Sequence, residues 1–116
     1  MTQSSTANRQ VVLAERPSGL PNENTLKLES SSVPAPSDGE MLLRTEYLSL
    51  DPYMRGRMND AKSYATPVQI GEPMVGGTVA EVVESKIEGY SKGDYVLCGN
   101  GWQDYGISNG LSLIHI

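Results

Sequence analysis

Apolar positions along the chain come in short bursts, each cut off by glycine or proline. The stretch "RQVVLAERP" (9–17) carries a brief apolar run that stops at Pro17, and "PSGLPNEN" (17–24) has the composition of a loop. "TLKLES" (25–30) alternates apolar and polar residues with period two, which predicts a half-buried strand. "SSVPAPSDGE" (31–40) is a second loop that closes on an Asp-Gly turn signal. "EMLLRTEYLSL", from Glu40 to Leu50, is the longest predicted strand. "PMVGGTVAEVVES" (73–85) is a β-branched run whose paired glycines, Gly76 and Gly77, predict a bulge or a close backbone approach. "SKGD" (91–94) reads as a turn; "DYVLCG" (94–99) and "WQDYGIS" (102–108) read as two strands joined by a Gly-Asn-Gly turn. About six short strands with this punctuation predict a mainly β chain, a small barrel or sandwich.

One segment breaks the pattern. In "LSLDPYMRGRMND" (48–60), Asp51 suits a helix N-cap, because its carboxylate can accept bonds from free backbone N–H groups. Pro52 suits the first helical position, where no N–H is needed. The pattern predicts a helix of one to two turns from Pro52 toward Met58, beginning where the long strand ends. Pattern alone favours a capped turn that packs Tyr53 and Met54 into the core. The junction also puts Tyr53 and Arg55 at the rim of a barrel, where function is often carried.

The 116 residues suit one domain. A chain of this size buries roughly 65% of its unfolded surface, enough for a core. The net charge of −5 argues against nucleic acid or an anionic membrane as partner, while leaving room for one anionic cofactor at a local basic spot. No stretch approaches the roughly 20 apolar residues of a membrane-spanning helix. "MTQSSTANRQ" lacks a signal-peptide pattern, and residues 1–8 are predicted to be disordered. A single cysteine, Cys98, rules out an internal disulfide and a multi-cysteine zinc site; a reducing cytoplasm is the expected compartment.

Three blocks in order, "LLRTEYLSLDPYMRGRM" (42–58), "IGEPMVGGTVAEVVES" (70–85) and "GDYVLCGNGWQDY" (93–105), resemble the N-terminal part of the medium-chain dehydrogenase/reductase superfamily. The branch they resemble is the zinc-independent, NADP-dependent double-bond reductases, which include prostaglandin, alkenal and curcumin reductases. "NRQVVLAERPSGLPNENTLKLE" (8–29) fits the bacterial members, so the resemblance spans roughly residues 8–110. It implies a GroES-like, partly open β-barrel over 9–110, with a short helix after the Glu40–Leu50 strand. It also implies a Rossmann domain that this chain does not contain: no Gly-x-Gly-x-x-Gly is present, and "GNGWQD" breaks at the last position. NADP(H) would then be held mainly by that later domain, through which the family is often homodimeric.

Reduction of an α,β-unsaturated carbonyl places negative charge on the carbonyl oxygen, and that charge needs a hydrogen-bond donor. Zinc alcohol dehydrogenases have a cysteine ligand and a Gly-His-Glu motif where this chain has Ser49-Leu50-Asp51 and Ile70-Gly71-Glu72-Pro73. Glu72 alone makes no tetrahedral zinc site, and a lone cysteine such as Cys98 is usually a small apolar residue. No metal is expected. A tyrosine hydroxyl is a suitable donor. The resemblance implies that Tyr53, the tyrosine of "DPYMR", faces the reacting carbonyl as catalytic and substrate-binding residue. Tyr64, in "KSYATPVQIG" (62–71), is expected to line the substrate entrance. Arg55 and Arg57 are read as solvated or paired with Asp51 or Asp60; orienting the helix or meeting the cofactor are the alternatives. Trp102 and Tyr105 read as barrel packing. Gly76 and Gly77 do not read as a phosphate cradle, since no helix follows them.

"LSLIHI" (111–116) is the hexapeptide encoded by CTG TCT CTT ATA CAC ATC, the end sequence of a transposase adapter used in sequencing libraries. These six residues are therefore expected to be foreign to the protein, the alternative being a genuine apolar strand, and His115 is given no catalytic role. The expected function is that of the substrate-side domain of an NADP-dependent enone or alkenal reductase, marginal in stability and inactive alone. The alternatives are a free-standing GroES-like binding module and a quinone reductase of the same superfamily.

Overall fold

The computed structural model describes residues 7–60, 66–111 and 113–116. Strands β1 (Ala7–Leu13) and β2 (Leu26–Ser32) form an antiparallel ribbon. A second sheet holds β3 (Met41–Leu48), β4 (Thr78–Ser85), β5 (Tyr95–Cys98), β6 (Tyr105–Ser108) and β7 (Ile114–His115), in the order β6-β3-β4-β5-β7. Helix α1 (Tyr53–Arg57) follows β3. The chain is mainly β, and its small sheets do not close on each other. No helix among the described residues is long and apolar enough to cross a membrane.

Two residues assigned from composition to a disordered N-terminus belong to β1. Asn8 is buried there, its side chain accepting from the Tyr105 N–H (2.9 Å) and donating to Gln103 (3.1 Å). Residues 1–6 lie outside the described residues. The outer edge of β1 reaches the second sheet's connections: the Val11 N–H donates to the Trp102 carbonyl (2.9 Å) and the Met74 N–H to the Val11 carbonyl (3.0 Å). Residues 73–77, predicted as strand, are this crossing segment, and regular pairing begins only at Thr78.

The alternation in "TLKLES" does make a strand, but not a half-buried one. Leu26 packs against the core, whereas Leu28 is 66% exposed. The ribbon has two strands and β2 is the outer one, so no described element covers Leu28. The Gly-Asn-Gly segment also differs from the hairpin it predicts. β5 and β6 are not neighbours; β4 and β3 lie between them. The linker crosses the sheet end, fixed by the Asn100 amide donating to Thr45 Oγ1 (2.9 Å). Gly101 makes the crossing possible, with φ at +76° and a Cβ position 2.8 Å from the Met74 carbonyl oxygen.

Burial falls into two clusters. Met41, Leu43, Ala80, Val82 and Val96 form one between β3, β4 and β5. Leu13, Met54, Met58, Val68 and Met74 form the other, which ties α1 to β1, with Trp102 packed against it. Met54 in α1 and Met58, its C-cap, are four residues apart, so both fall on one face of this turn.

Candidate functional site

A five-residue helix has little stability of its own. Tertiary contacts must therefore set where α1 sits and where Tyr53 points. The helix starts one residue later than the pattern predicts: Pro52 is the cap, and no side chain bonds a free N–H. The Asp51 carboxylate instead accepts from the Ser49 hydroxyl (2.8 Å), and its carbonyl takes the Met54 N–H (3.1 Å). Met54 and Met58 anchor the helix from below.

Arginines hold it from the side. Arg55 donates to the carbonyls of Gly19 (2.7 and 3.0 Å) and Pro17 (3.3 Å) and to Asn59 Oδ1 (2.8 Å). Arg57 donates to the Thr66 carbonyl (2.7 Å), and Arg16 to the Met58 carbonyl (2.9 Å). Arg55 and Arg57 are thus neither paired with Asp51 or Asp60 nor simply solvated. The planar fork of Arg55 meets two carbonyls at once, a geometry suited to pinning loops, while Arg57 holds one. Their part in orienting the helix was legible in the sequence only as an alternative, because carbonyl partners leave no side-chain pattern.

Packing Met54 downward turns Tyr53 outward. Met54 is 5% exposed and Tyr53 50% exposed, so the tyrosine is not the core residue that pattern alone favours. It lines an open, mostly apolar cavity of about 800 Å³ with Val75, Gly76, Gly77, Leu97, Cys98, Gly99, Leu111, Leu113 and Ile114. A ligand pocket occupies about 300–1,000 Å³, so a small molecule fits here. The Tyr53 hydroxyl has no hydrogen-bond partner among the described residues. Tyr64 lies outside the described residues.

The paired glycines have separate roles. A Cβ on Gly76 would sit 2.7 Å from Leu48 Cδ1 and 3.2 Å from both Met54 Cε and Trp102 Nε1, whereas one on Gly77 would meet nothing within 4 Å. Gly76 is the predicted close approach; Gly77 leaves the cavity wall open and accepts the Ser49 N–H at its carbonyl (2.9 Å). Trp102 packs as expected, but its indole N–H is buried without a partner among the described residues. Sequence reasoning missed Cys98 as wall. It sits at the end of β5, with its sulfur 3.3 Å from Thr78 Oγ1, and it also borders a second, more polar cavity of about 390 Å³ beside Glu40 and Asn100. Only its position at a strand end pointed there.

Comparison with known proteins gives this geometry a context. Residues 9–116 match the family described as the N-terminal domain of oxidoreductase. The chain is 54% identical to the NADPH-dependent curcumin reductase of Escherichia coli over 116 residues, all of this chain and 34% of that protein. It is 36% identical to the NADP(+)-dependent 2-alkenal reductase of Nicotiana tabacum, over 87% of this chain and 31% of that one. The crystal structures of CurA from Vibrio vulnificus, alone and with NADPH, are 58% identical, with TM-scores of 0.89 and 0.87. They cover 92% and 91% of this chain, and in each case 32% of the CurA chain. The chain therefore spans about a third of the length of the proteins it matches.

Proposed function

We propose that this chain, which belongs to the family of N-terminal domains of oxidoreductases, is the substrate-side domain of an NADPH-dependent reductase acting on the C=C bond of α,β-unsaturated carbonyl compounds. The observation that carries the reading is Tyr53: half-exposed, its hydroxyl without a partner among the described residues, beside Val75, Gly76, Gly77 and Leu97 of the cavity wall, and on a helix pinned at both flanks. Two relatives support the substrate class, being named for curcumin and for 2-alkenals, which share a C=C bond conjugated to a carbonyl.

The residues present suit a flat, uncharged ring better than a phosphate. Gly76 and Gly77 leave the wall low, but they lead directly into β4, so there is no helix N-terminus to cradle an anion. On this reading Gly76, Gly77 and Val75 offer the nicotinamide end an apolar wall, and the later part of the protein holds the rest. Bound NADPH supplies the hydride. Tyr53 donates a hydrogen bond to the carbonyl oxygen as it becomes an enolate, and the apolar wall keeps water from weakening that bond. Tyr64 is assigned to the substrate entrance. Residues 9–110 constitute the domain, 111–116 are read as foreign to it, and the isolated chain is read as inactive.

Steady-state assays of the protein expressed through its complete reading frame, with an enone, an alkenal and a quinone, test the proposal. The expected result is NADPH oxidation matched one to one by loss of the C=C bond with the carbonyl retained. Reduction of the carbonyl to an alcohol, or turnover of the quinone alone, contradicts it.

A further inference from the structure

We propose that the outer edge of β2 is a self-association surface whose partner is a second copy of this chain, paired antiparallel about Leu28. The inference is independent of the proposed reaction. It starts from hydrogen-bond parity in β1. Arg9, Val11 and Leu13 spend their outward backbone groups on Asp104, Trp102, Met74, Glu72 and Gly71. The residues of β1 that bond β2 are therefore Asn8, Gln10 and Val12, opposite Ser31, Glu29 and Lys27. It follows that Leu26, Leu28 and Ser30 aim their N–H and C=O groups away from β1, and no described residue receives them.

An exposed edge of seven residues without proline invites another strand. Backbone parity lets a two-fold axis pass through any residue of this edge, but centred on Lys27 or Glu29 it sets like charges directly opposite each other, which is unfavourable. Centred on Leu28, the pairing sets Leu28 against its counterpart as a hydrogen-bonded pair and Leu26 against Ser30. The same register sets Lys27 of one copy opposite Glu29 of the other, twice, in the close non-hydrogen-bonded positions. Lys27 and Glu29 already stand side by side, 3.7 Å apart within one strand, so the dimer builds a ring of four alternating charges. The exposed Leu28 side chains meet on the opposite face. Centred on Ser30 instead, the register sets Glu29 against Ser31 and gains no opposite charge; centred on Leu26, it sets Lys27 against Thr25. The Leu28 register alone unites opposite charge and apolar contact, and this self-complementarity is why the partner is a second copy rather than an unrelated peptide.

Sedimentation velocity over a concentration series, on the chain and three charge variants, tests this. Wild type is expected to show a monomer–dimer equilibrium that weakens with salt. Lys27→Glu and Glu29→Lys each place like charges opposite one another and are expected to weaken dimerisation about tenfold. The double variant K27E/E29K reverses the ring and is expected to restore it to within about threefold of wild type. Amide exchange gives a second readout: the Leu28 and Ser30 amides are expected to slow with rising concentration, while those of Lys27 and Glu29, already bonded to β1, stay unchanged. A monomer at all concentrations, a dimer indifferent to the single variants, or failure of the double variant to recover overturns the proposal.

Discussion

Arg9 and Asp104 hold each other by side chain and backbone together, 95 positions apart in the chain. The guanidinium forks onto the carboxylate (Nε to Oδ2 2.8 Å, Nη2 to Oδ1 3.2 Å), and the Arg9 N–H also donates to Oδ2 (3.0 Å). The Asp104 N–H returns a bond to the Arg9 carbonyl (3.0 Å), and the Asp104 carbonyl takes the Thr45 N–H (2.7 Å). One residue thus couples the ribbon to the large sheet.

These bonds, the Arg9 side chain first, hold the Asp104 carboxyl below the usual aspartate range. A carboxyl lowered on folding stabilises the protein above its unfolded pKa, about 3.9, and that contribution disappears as pH falls through the lower folded value. Asp104→Asn is expected to lower the melting temperature at pH 7, with the deficit shrinking below about pH 4. Thermal melts from pH 2 to 8 check it; a deficit that does not change with pH would separate the carboxylate's charge from its role.

Gly76 and Gly77 are adjacent, yet they should respond differently to the same change. Gly76→Ala drives a methyl into Leu48, Met54 and Trp102, and overpacking of this kind costs about 1–3 kcal/mol. Because Met54 is one contact, the strain falls on α1 and displaces Tyr53. Gly77→Ala has open space and is expected to stay within about 0.5 kcal/mol of wild type. Chemical denaturation of the two variants decides it, and equal losses would refute the assignment.

The particular residues show what sequence carries. Pro52 and the break in strand pattern marked α1 to within a residue, because proline's missing N–H constrains helix starts locally. Gly76 was legible as a close approach, but which atoms crowd it depends on Leu48 and Trp102, from two different segments. The exposure of Leu28 was not legible, since alternation reports a strand's two faces and not whether anything covers them. The outward turn of Tyr53 was implied by the resemblance but not by the pattern: "YM" is a pair of large residues, and only the packing of Met54 decides which of them is buried. The separation of β5 from β6 is topology, and turn residues specify the bend rather than the destination.

Arg55 reaches two loop carbonyls and Asn59 from one planar group. Arg55→Ala is expected to destabilise by about 1–2 kcal/mol, and Arg55→Lys to recover less than half of that, because an ammonium cannot span the same acceptors. Urea unfolding of the three proteins measures it. Full recovery by lysine would mean that charge, not the fork, does the holding.

Removing residues 111–116 is expected to cost no more than about 1 kcal/mol. Leu111, Ile114 and Ile116 are exposed, β7 is two residues long, and Leu113 alone packs partly against the core. The same deletion takes three residues from the cavity wall and leaves Tyr53 in place. Denaturation of the 110-residue chain checks this; collapse of the fold would make the tail integral to the sheet.

The central claim is that Tyr53 stabilises the developing enolate, and its most direct test is kcat for enone reduction by the complete protein with Tyr53→Phe. Because the hydroxyl has no partner among the described residues, the substitution should leave the melting temperature unchanged. Loss of one such donor lowers kcat by about 10²–10³. That drop, with an intact fold, is the expected result; a kcat within about threefold of wild type would contradict the account.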